Sequence, residues 1–579
     1  FENALAVIRS NKLETSLPYA IVMNNQAMLY QCLGRYEDAE KNMMQVQELG
    51  EKVGSKSKNK LRFISNLALL YQQMGQYDKA ESIYMKMQGK ILDRTTPEFA
   101  NLLNNIAILY LIMNKQDKVE DMLKRSSELY KKSFGEKSPA YAKVISDLGN
   151  FYRYKGRNDE AKPLLENALS IREQALGDDH PLFAQSQEDL AILYWKTKDY
   201  DNAYTLYHKV MEKSLDFINL YFPPMSESEK TKYWDLLSPR FQRFYNFALE
   251  AAAVKKDVLE DMFEYRLASK GLLLSSTRRI SQAILSSGNE KLVNDYAEWI
   301  DLKEQMTKLY GFSKEELTEQ AINIDSLEKE INSREKRLSE SSKEFSNFYF
   351  ASKVKLSEVQ NKLKADEALI EIIRIRDFDQ VFTDGSKYVA LILSKGNANP
   401  KMILMDKGFD METKHYKTYR KSMQNRVNDE QSYNHYWAPL EAEVKGKKKI
   451  YVSLDGVYNQ VNLYTLKKPA GDFLINQYDI ILLGNSKDMV NKNEVSSSPN
   501  SGKKAILIGF PDYGTDKSIV PLPATKTEVD GINTVLKSSG YNVASYMQKD
   551  ATEKNLKSSH ETSVLHIATH GFFFPDVEK

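Results

Sequence analysis

Few residues in this sequence are able to do acid–base or nucleophilic chemistry: seven histidines and one cysteine among 579 residues. His566 and His570 fall in Val564-Leu-His-Ile-Ala-Thr-His-Gly571, a short apolar run that reads as a β-strand with His-Gly at its tip. At about 3.3 Å per residue the two imidazoles stand roughly 13 Å apart on an extended chain, so they do not form a metal pair. His566 then reads as a core residue, and His570 and Gly571 are left at the strand end. Asp512 lies in the loop Phe510-Pro-Asp-Tyr-Gly514, after the strand-like Ala505-Ile-Leu-Ile-Gly509. An exposed loop aspartate most simply closes a local turn. The lone Cys32 excludes an internal disulfide framework and every thiolate-rich zinc site, while His180 and His208 read as a loop and a surface residue. No metal and no cofactor is expected.

These residues need elements to hold them. From about Ala368 the sequence alternates short β-rich runs with helical ones: Leu369–Ile375, Tyr388–Leu393, Ile450–Leu454, Ile480–Leu483, Ala505–Phe510, Val543–Tyr546 and Val564–Ala568. Between the last three lie Leu522-Pro-Ala-Thr-Lys-Thr-Glu-Val529, opening a helix, and Thr552–Ser558, a shorter one. The alternation predicts a largely parallel sheet covered on both faces, with active-site groups gathering at the carboxyl ends of the strands. The Ser/Pro/Asn-rich stretch Asn491–Gly502 reads as a loop dividing this region into halves.

Composition narrows the class. Hydrophobic residues make up 42% and charged residues 28%, and the 81 basic side chains nearly cancel the 79 acidic ones. No polybasic run stands out, so no direct binding of nucleic acid is expected. The longest apolar stretches fall far short of the ~20 residues that cross a bilayer. The sequence starts at Phe1, which implies that any leader lies outside it, and leaves a cytoplasmic or an envelope location open.

The first two hundred residues repeat. Tyr30, Tyr71, Tyr110, Tyr152 and Tyr194 each close a small apolar block, with Ala27, Ala68, Ala107, Gly149 and Ala191 three residues earlier. Ala39, Ala80, Val119, Ala161 and Ala203 follow twelve residues after those, so each unit has two small positions at which two helices approach closely. Pro97, Pro139 and Pro181 open first helices, and Gly34, Gly75 and Gly156 sit in the turns. This pattern over about residues 1–215 resembles the tetratricopeptide repeat in the long-period form of kinesin light chains, with Leu176-Gly-Asp-Asp-His-Pro181 as an inter-repeat loop. Phe1-Glu-Asn-Ala4 looks like the second helix of a preceding unit. Stacked helix pairs form a solenoid whose concave face takes a peptide or protein. Asn25, Asn66, Asn105, Asp147 and Asp189 share one position on the first helices; they either grip an extended peptide backbone or close hydrogen bonds between helices.

Residues 216–350 read as a helical bridge. Ser226-x-x-Glu229 is a capping-box signature, and Ile324, Ile331, Leu338 and Phe345 recur every seven residues on a last long helix expected to pack on the following domain. The charge run Glu328–Lys343 reads as its solvated face.

The β-α-β-α-β order of the last segment, its His-Gly tip, Val452-Ser-Leu-Asp-Gly456 and Lys270-Gly-Leu-Leu-Leu274, all behind a repeat array, resemble the CHAT domain, a caspase-like cysteine peptidase module. The resemblance implies an all-α solenoid followed by an α/β caspase-like domain, with a supporting half at 351–500 and a catalytic half at 501–579. It implies that His570 is the acid/base and Gly571 part of the oxyanion hole, and offers Asp512 as a group that holds a basic substrate side chain. In such enzymes the nucleophilic cysteine follows the histidine by about 50 residues, and only nine residues follow His570 here. Cys32 sits in a repeat helix, at a position filled by Gln73 and Tyr154 in other units, and cannot serve. Three readings stay open: the sequence is a fragment; it is a cleavage product ending at Lys579 and paired with a cysteine-bearing C-terminal piece; or catalysis is lost and the protein is an interaction scaffold.

Overall fold

The computed structural model describes residues 2–32, 35–52, 58–91, 93–222, 225–272, 284–285, 287–309, 317, 322–341, 354–427, 429, 431–469, 471–490, 503–514, 520, 522–557 and 562–569. His570, Gly571, Gly34, Phe345 and the stretch Asn491–Gly502 lie outside them. The chain divides into two compact units, Phe1–Met489 and Val490–Lys579.

The first unit opens with antiparallel helix pairs. A helix α1 (Glu2–Ser10) packs on α2 (Leu17–Cys32), and α2 pairs with α3 (Tyr36–Lys52). The pairs α4 (Lys58–Gln73) and α5 (Tyr77–Lys90), α6 (Pro97–Ile112) and α7 (Val119–Phe134), α8 (Pro139–Tyr154) and α9 (Asn158–Leu176), and α10 (Pro181–Lys196) and α11 (Tyr200–Tyr221) follow. Three first helices start alike: proline takes N1, and Thr96, Ser138 and the Nδ1 of His180 accept the backbone N–H of Phe99, Tyr141 and Leu182. His180 is thus a cap. The small residues are where the helices touch: Ala27, Ala39, Ala80, Ala107, Ala161, Ala191 and Ala203 are wholly buried. A Cβ on Gly149 would stand 2.8 Å from Leu165 Cδ2, so that helix pair tolerates no side chain there. The recurrent tyrosines pack and also bond across the stack, with the hydroxyls of Tyr71, Tyr152 and Tyr194 donating to Glu40 (2.7 Å), Glu120 (3.2 Å) and Glu166 (3.3 Å).

The bridge comprises α12 (Glu227–Ala251), α13 (Val258–Ser269), α14 (Glu290–Leu309) and α15 (Ile324–Ser341). The capping box of Ser226 and Glu229 is formed. Contrary to expectation, α15 packs on α14 and on the start of α12. The helix buries Ile331 and Leu338, and Lys230, buried on α12, is met by Glu335 at 3.8 Å, which also accepts the Glu227 N–H at 2.8 Å. One carboxylate of the supposedly solvated charge run is therefore buried.

A short helix α16 (Leu356–Asn361) leads into β1 (Glu367–Asp379), β2 (Val381–Ser394), β3 (Lys401–Met405), β4 (Lys449–Ser453) and β5 (Asp479–Leu483), in the order β3-β2-β1-β4-β5. This sheet is mixed, not largely parallel: β1 pairs antiparallel with β2 and β2 with β3, while β1, β4 and β5 are parallel. A single residue, Gln380 at φ 65°, turns the chain from β1 into β2, which leaves no room for the crossover that parallel pairing requires. Helices α17 (Tyr416–Asn425), α18 (Ser432–Tyr436) and α19 (Ala438–Val444) cover one face, burying Tyr419, Tyr436, Trp437 and Leu440 against Ile370, Ile372, Ala390 and Val452.

The second unit is a parallel three-stranded sheet, order β7-β6-β8, made of β6 (Lys504–Pro511), β7 (Asn542–Gln548) and β8 (Val564–Ala568), with helices α20 (Pro523–Ser538) and α21 (Glu553–Lys557) in the connections. Leu507, Val529 and Ala568 form its small core, with Ile532, Leu536, Val543 and Met547 packed around them. Gly509 is required here, because a Cβ would stand 2.6 Å from Val529 Cγ2. Among the described residues no helix is long and apolar enough to cross a membrane.

Candidate functional site

Because β6, β7 and β8 are parallel, their carboxyl ends share one edge, and the loop after β6 meets the end of β8 there. Gly509 is in register with Ala568 and Pro511 with Gln548. The Tyr513 hydroxyl then lies 2.8 Å from Thr569 Oγ1, next to the position from which His570 continues. Asp512 is exposed at this edge; its backbone N–H donates to Gln548 O (3.2 Å) and its Oδ1 accepts the Gly514 N–H (3.0 Å), the turn closure expected of a loop aspartate. His566 points the other way, toward α20, with Nε2 3.2 Å from Glu528 Oε1. It is half-buried rather than a fully enclosed core residue.

A second polar constellation, at the carboxyl end of β4, was invisible as a unit in the sequence. Glu371, in the middle of β1 and wholly buried, accepts from Lys270 Nζ (2.8 Å) and Ser486 Oγ (2.5 Å), with Arg266 Nε at 3.5 Å. Arg266 also reaches Asp455 (2.8 Å), which accepts the backbone N–H groups of Arg374 and Gly456. Arg374 forks onto Glu412 (2.5 and 2.9 Å), and Tyr388 donates to the same carboxylate (2.8 Å) while accepting the Val457 N–H. Three cations meet three carboxylates, so the cluster is neutral and every charge is paired. Burial pulls the Lys270 ammonium below its ordinary pKa, against the pull of Glu371. A Cβ on Gly456 would fall 2.1 Å from the Tyr388 hydroxyl, which explains the glycine in Val452–Gly456. The signal in the sequence was two charges, Glu371 and Arg374, inside the otherwise apolar run Leu369–Ile375. Among the described residues no group of histidine, cysteine and carboxylate side chains is arranged to hold a metal ion.

On the repeats, the shared polar position forms a ladder between units. Asn66 donates to Asn24 (3.0 Å), Asn105 to Ser65 (3.0 Å), Asn104 to Asp147 (2.8 Å) and Ser146 to Asp189 (2.9 Å). Burial pushes the Asp189 carboxyl above its usual range. Asn25 alone of the five is exposed, and its side chain makes no hydrogen bond among the described residues. The ladder ends at wholly buried Glu188, clasped by Arg240 (2.9 Å) and Arg243 (2.7 Å) of the bridge.

The same face of the last two units meets the β1–β2 hairpin. Phe378 stacks on Trp195 with ring centres 5.8 Å apart, Arg153 donates to Gln380 Oε1, and Lys196 faces Asp379 at 3.7 Å.

The sequence matches the CHAT domain over residues 430–579 and the tetratricopeptide repeat over 18–87 and 140–213. No curated protein matches it. Among solved structures, a kinesin light chain with nearly identical TPR-like repeats from Podosopora anserina is 23% identical, covering 33% of this chain and 93% of its own, at a TM-score of 0.28. BtubC (BKLC) from P. vanneervenii is 18% identical over 38% of this chain and 89% of its own, at 0.29. A Rap protein complexed with Competence and Sporulation Factor is 16% identical over 46% and 80%, at 0.34. The chain carries tetratricopeptide repeats followed by a CHAT domain, a module of the caspase-like peptidases.

Proposed function

We propose that this chain belongs to a regulated caspase-like cysteine endopeptidase, with the repeat array of residues 1–215 binding an activator or substrate protein and the bridge 216–350 joining it to the supporting half 351–500 and the catalytic half 501–579. The observation that carries the reading is the Tyr513–Thr569 contact, which brings the Asp512 loop beside the strand end that leads to His570. In this reading a cysteine beyond residue 579 adds as thiolate to the scissile carbonyl, the new S–C bond turning the carbonyl oxygen into an oxyanion, and collapse of that intermediate breaks the C–N bond. His570 delivers its proton to the departing amine, the Gly571 N–H holds the oxyanion, and water then hydrolyses the thioester. Asp512 would hold a basic side chain of the substrate.

The test is thiol labelling of the complete gene product with a peptidyl electrophile carrying lysine at its reactive position. Labelling that disappears in His570→Ala supports the peptidase; no labelling in any activated state overturns it. Asp512→Asn should depress cleavage after Lys and Arg selectively, and an equal loss on all substrates would sink its assignment.

A further inference from the structure

The β1–β2 hairpin is much longer than its neighbours. Its strands have 13 and 14 residues, yet β4 pairs only with Glu367–Glu371 and β3 only with Tyr388–Ile392. Beyond those pairings the hairpin is a two-stranded arm, a form that is marginal in water unless it packs on something. It packs on the repeats, and its tip chemistry is specific. Phe378 lies on Trp195, Phe382 closes edge-on to Phe378 at 5.1 Å, and Gln380 takes a hydrogen bond from Arg153. Arg153 and Trp195 are 42 residues apart, hence at equivalent positions on the first helices of successive units, where a segment lying across the array would meet both.

Arg153 is 7% exposed, and among the described residues its guanidinium bonds to amide oxygens alone, those of Asn150 (3.3 Å) and Gln380. Among the described residues no carboxylate stands within ion-pair distance of it. Its charge is met only at longer range, by the attraction of buried Asp189 and Glu188, and a carboxylate in direct contact would hold it better than neutral oxygens, since charge-assisted bonds are about twice as strong. The present occupant is loosely held in other respects: the Asp379 side chain is 88% exposed with Lys196 3.7 Å away, and Gln380 sits at φ 65°, a region that non-glycine residues rarely adopt.

We propose that Arg153, Trp195 and Lys196 form a docking site for a peptide turn bearing an aromatic residue and, two positions later, a carboxylate, and that Phe378–Gln380 fills this site when no partner is bound. The inference rests on the reading that the array binds protein, and it names the partner's chemistry and its intramolecular competitor. The spacing comes from the tip itself, where the residue on Trp195 and the residue on Arg153 are Phe378 and Gln380. A partner's acid would replace the amide, and Lys196 would face the residue between.

The probe is a fluorescein-labelled peptide of residues 374–386 carrying Gln380→Glu, titrated into the full chain by anisotropy. Against the wild-type chain, a Phe378→Ser/Gln380→Gly chain should bind it about tenfold tighter or more, because its own tip no longer competes. Arg153→Gln in that background should remove most of the gain, and a probe retaining Gln380 should bind several-fold more weakly. A second variant guards against misfolding: Gln380→Glu in the intact chain should raise the melting temperature and lower probe affinity, the opposite of damage. Equal affinity for wild-type and tip-released chains, insensitivity to Arg153→Gln, or no binding to any chain overturns the proposal. Probe binding with no thiol labelling would sink the peptidase and leave this site standing; labelling without probe binding would do the reverse.

Discussion

Lys270 Nζ stands 2.8 Å from the carboxylate of wholly buried Glu371 and 2.5 Å from the Oγ of wholly buried Ser453, so the end of α13 is fastened to the middle of β1 and the tip of β4. Gln242 and Asn246 of α12 add a second attachment, donating to the carbonyls of Arg374 and Arg376 at 3.4 and 2.7 Å. The bridge is thus bonded to the same strand whose far end rests on the repeats. A partner that displaced the hairpin tip would act directly on the strand around which this sheet is built.

Removing one member of that buried cluster leaves an uncompensated charge. Glu371→Ala should destabilise the chain by about 3–5 kcal/mol, and Lys270→Met by a similar amount, whereas the double Lys270→Met/Glu371→Leu variant should recover most of the loss. Urea unfolding of the four proteins measures the coupling. Additive losses would show that the two side chains contribute independently.

Lys230 gives a pH signature. Burial pulls its ammonium down to about 8 from the 10.5 of a free lysine, with Glu335 opposing the shift. A folded-state pKa below the unfolded one means that stability is lost as pH falls from the unfolded pKa through the folded one. Below about 8 the lysine is charged in both states and the penalty is constant; between about 8 and 10.5 the folded state loses its proton first and stability rises. The wild type should therefore gain on a Lys230→Met variant by about 2–3 kcal/mol over that window. Thermal melts at closely spaced pH values check this, and parallel profiles for the two proteins would contradict it.

Gly509 sets the distance between α20 and the sheet. With its added Cβ 2.6 Å from Val529 Cγ2 and 3.3 Å from Ala568 O, Gly509→Ala must push the helix or β8 aside, at about 1–3 kcal/mol. Amide exchange should quicken in β6, β8 and α20 and stay unchanged in the repeats. If His570 acts as proposed, thiol labelling of the complete protein should slow as well.

How much of this could be read beforehand depended on whether the signal was local. Repeat helices announced themselves through small residues twelve apart, since two helices cannot approach closely around a large side chain, and every one of those alanines is buried. Seven strands were legible as β-rich runs, but β3 was not: it is an edge strand with Leu404 exposed and two methionines, too weak a pattern to stand out. The antiparallel hairpin was missed because Leu369–Ile375, buried along most of its length and apolar but for Glu371 and Arg374, reads like a strand of a parallel sheet. Glu371 was visible as an oddity, but its partners come from residues 270 and 486, and only the fold brings them together. The docking of Phe378 on Trp195 had no local signal at all.

The polar ladder separates binding from support on the repeats. Asn105 donates to Ser65 and Asn66 to Asn24, so alanine at either position leaves a polar partner unsatisfied and should lower stability by about 1 kcal/mol. Asp189 is the extreme case: it is buried with its pKa raised, and Asp189→Asn removes a charge that burial penalises and keeps an acceptor for Ser146 but withdraws the attraction felt by buried Arg153 and Arg172, so the opposing effects should leave stability at pH 7 close to unchanged. Asn25, exposed, should be thermally silent when changed to alanine. Its effect on affinity for a protein partner then isolates the binding role of this position, because any loss cannot be charged to the stack. If Asn25→Ala leaves partner affinity unchanged and the melting temperature falls only in the Asn66 and Asn105 variants, the whole series is inter-repeat glue, and recognition falls to the side chains six residues further along these helices, where Arg153 and Trp195 stand.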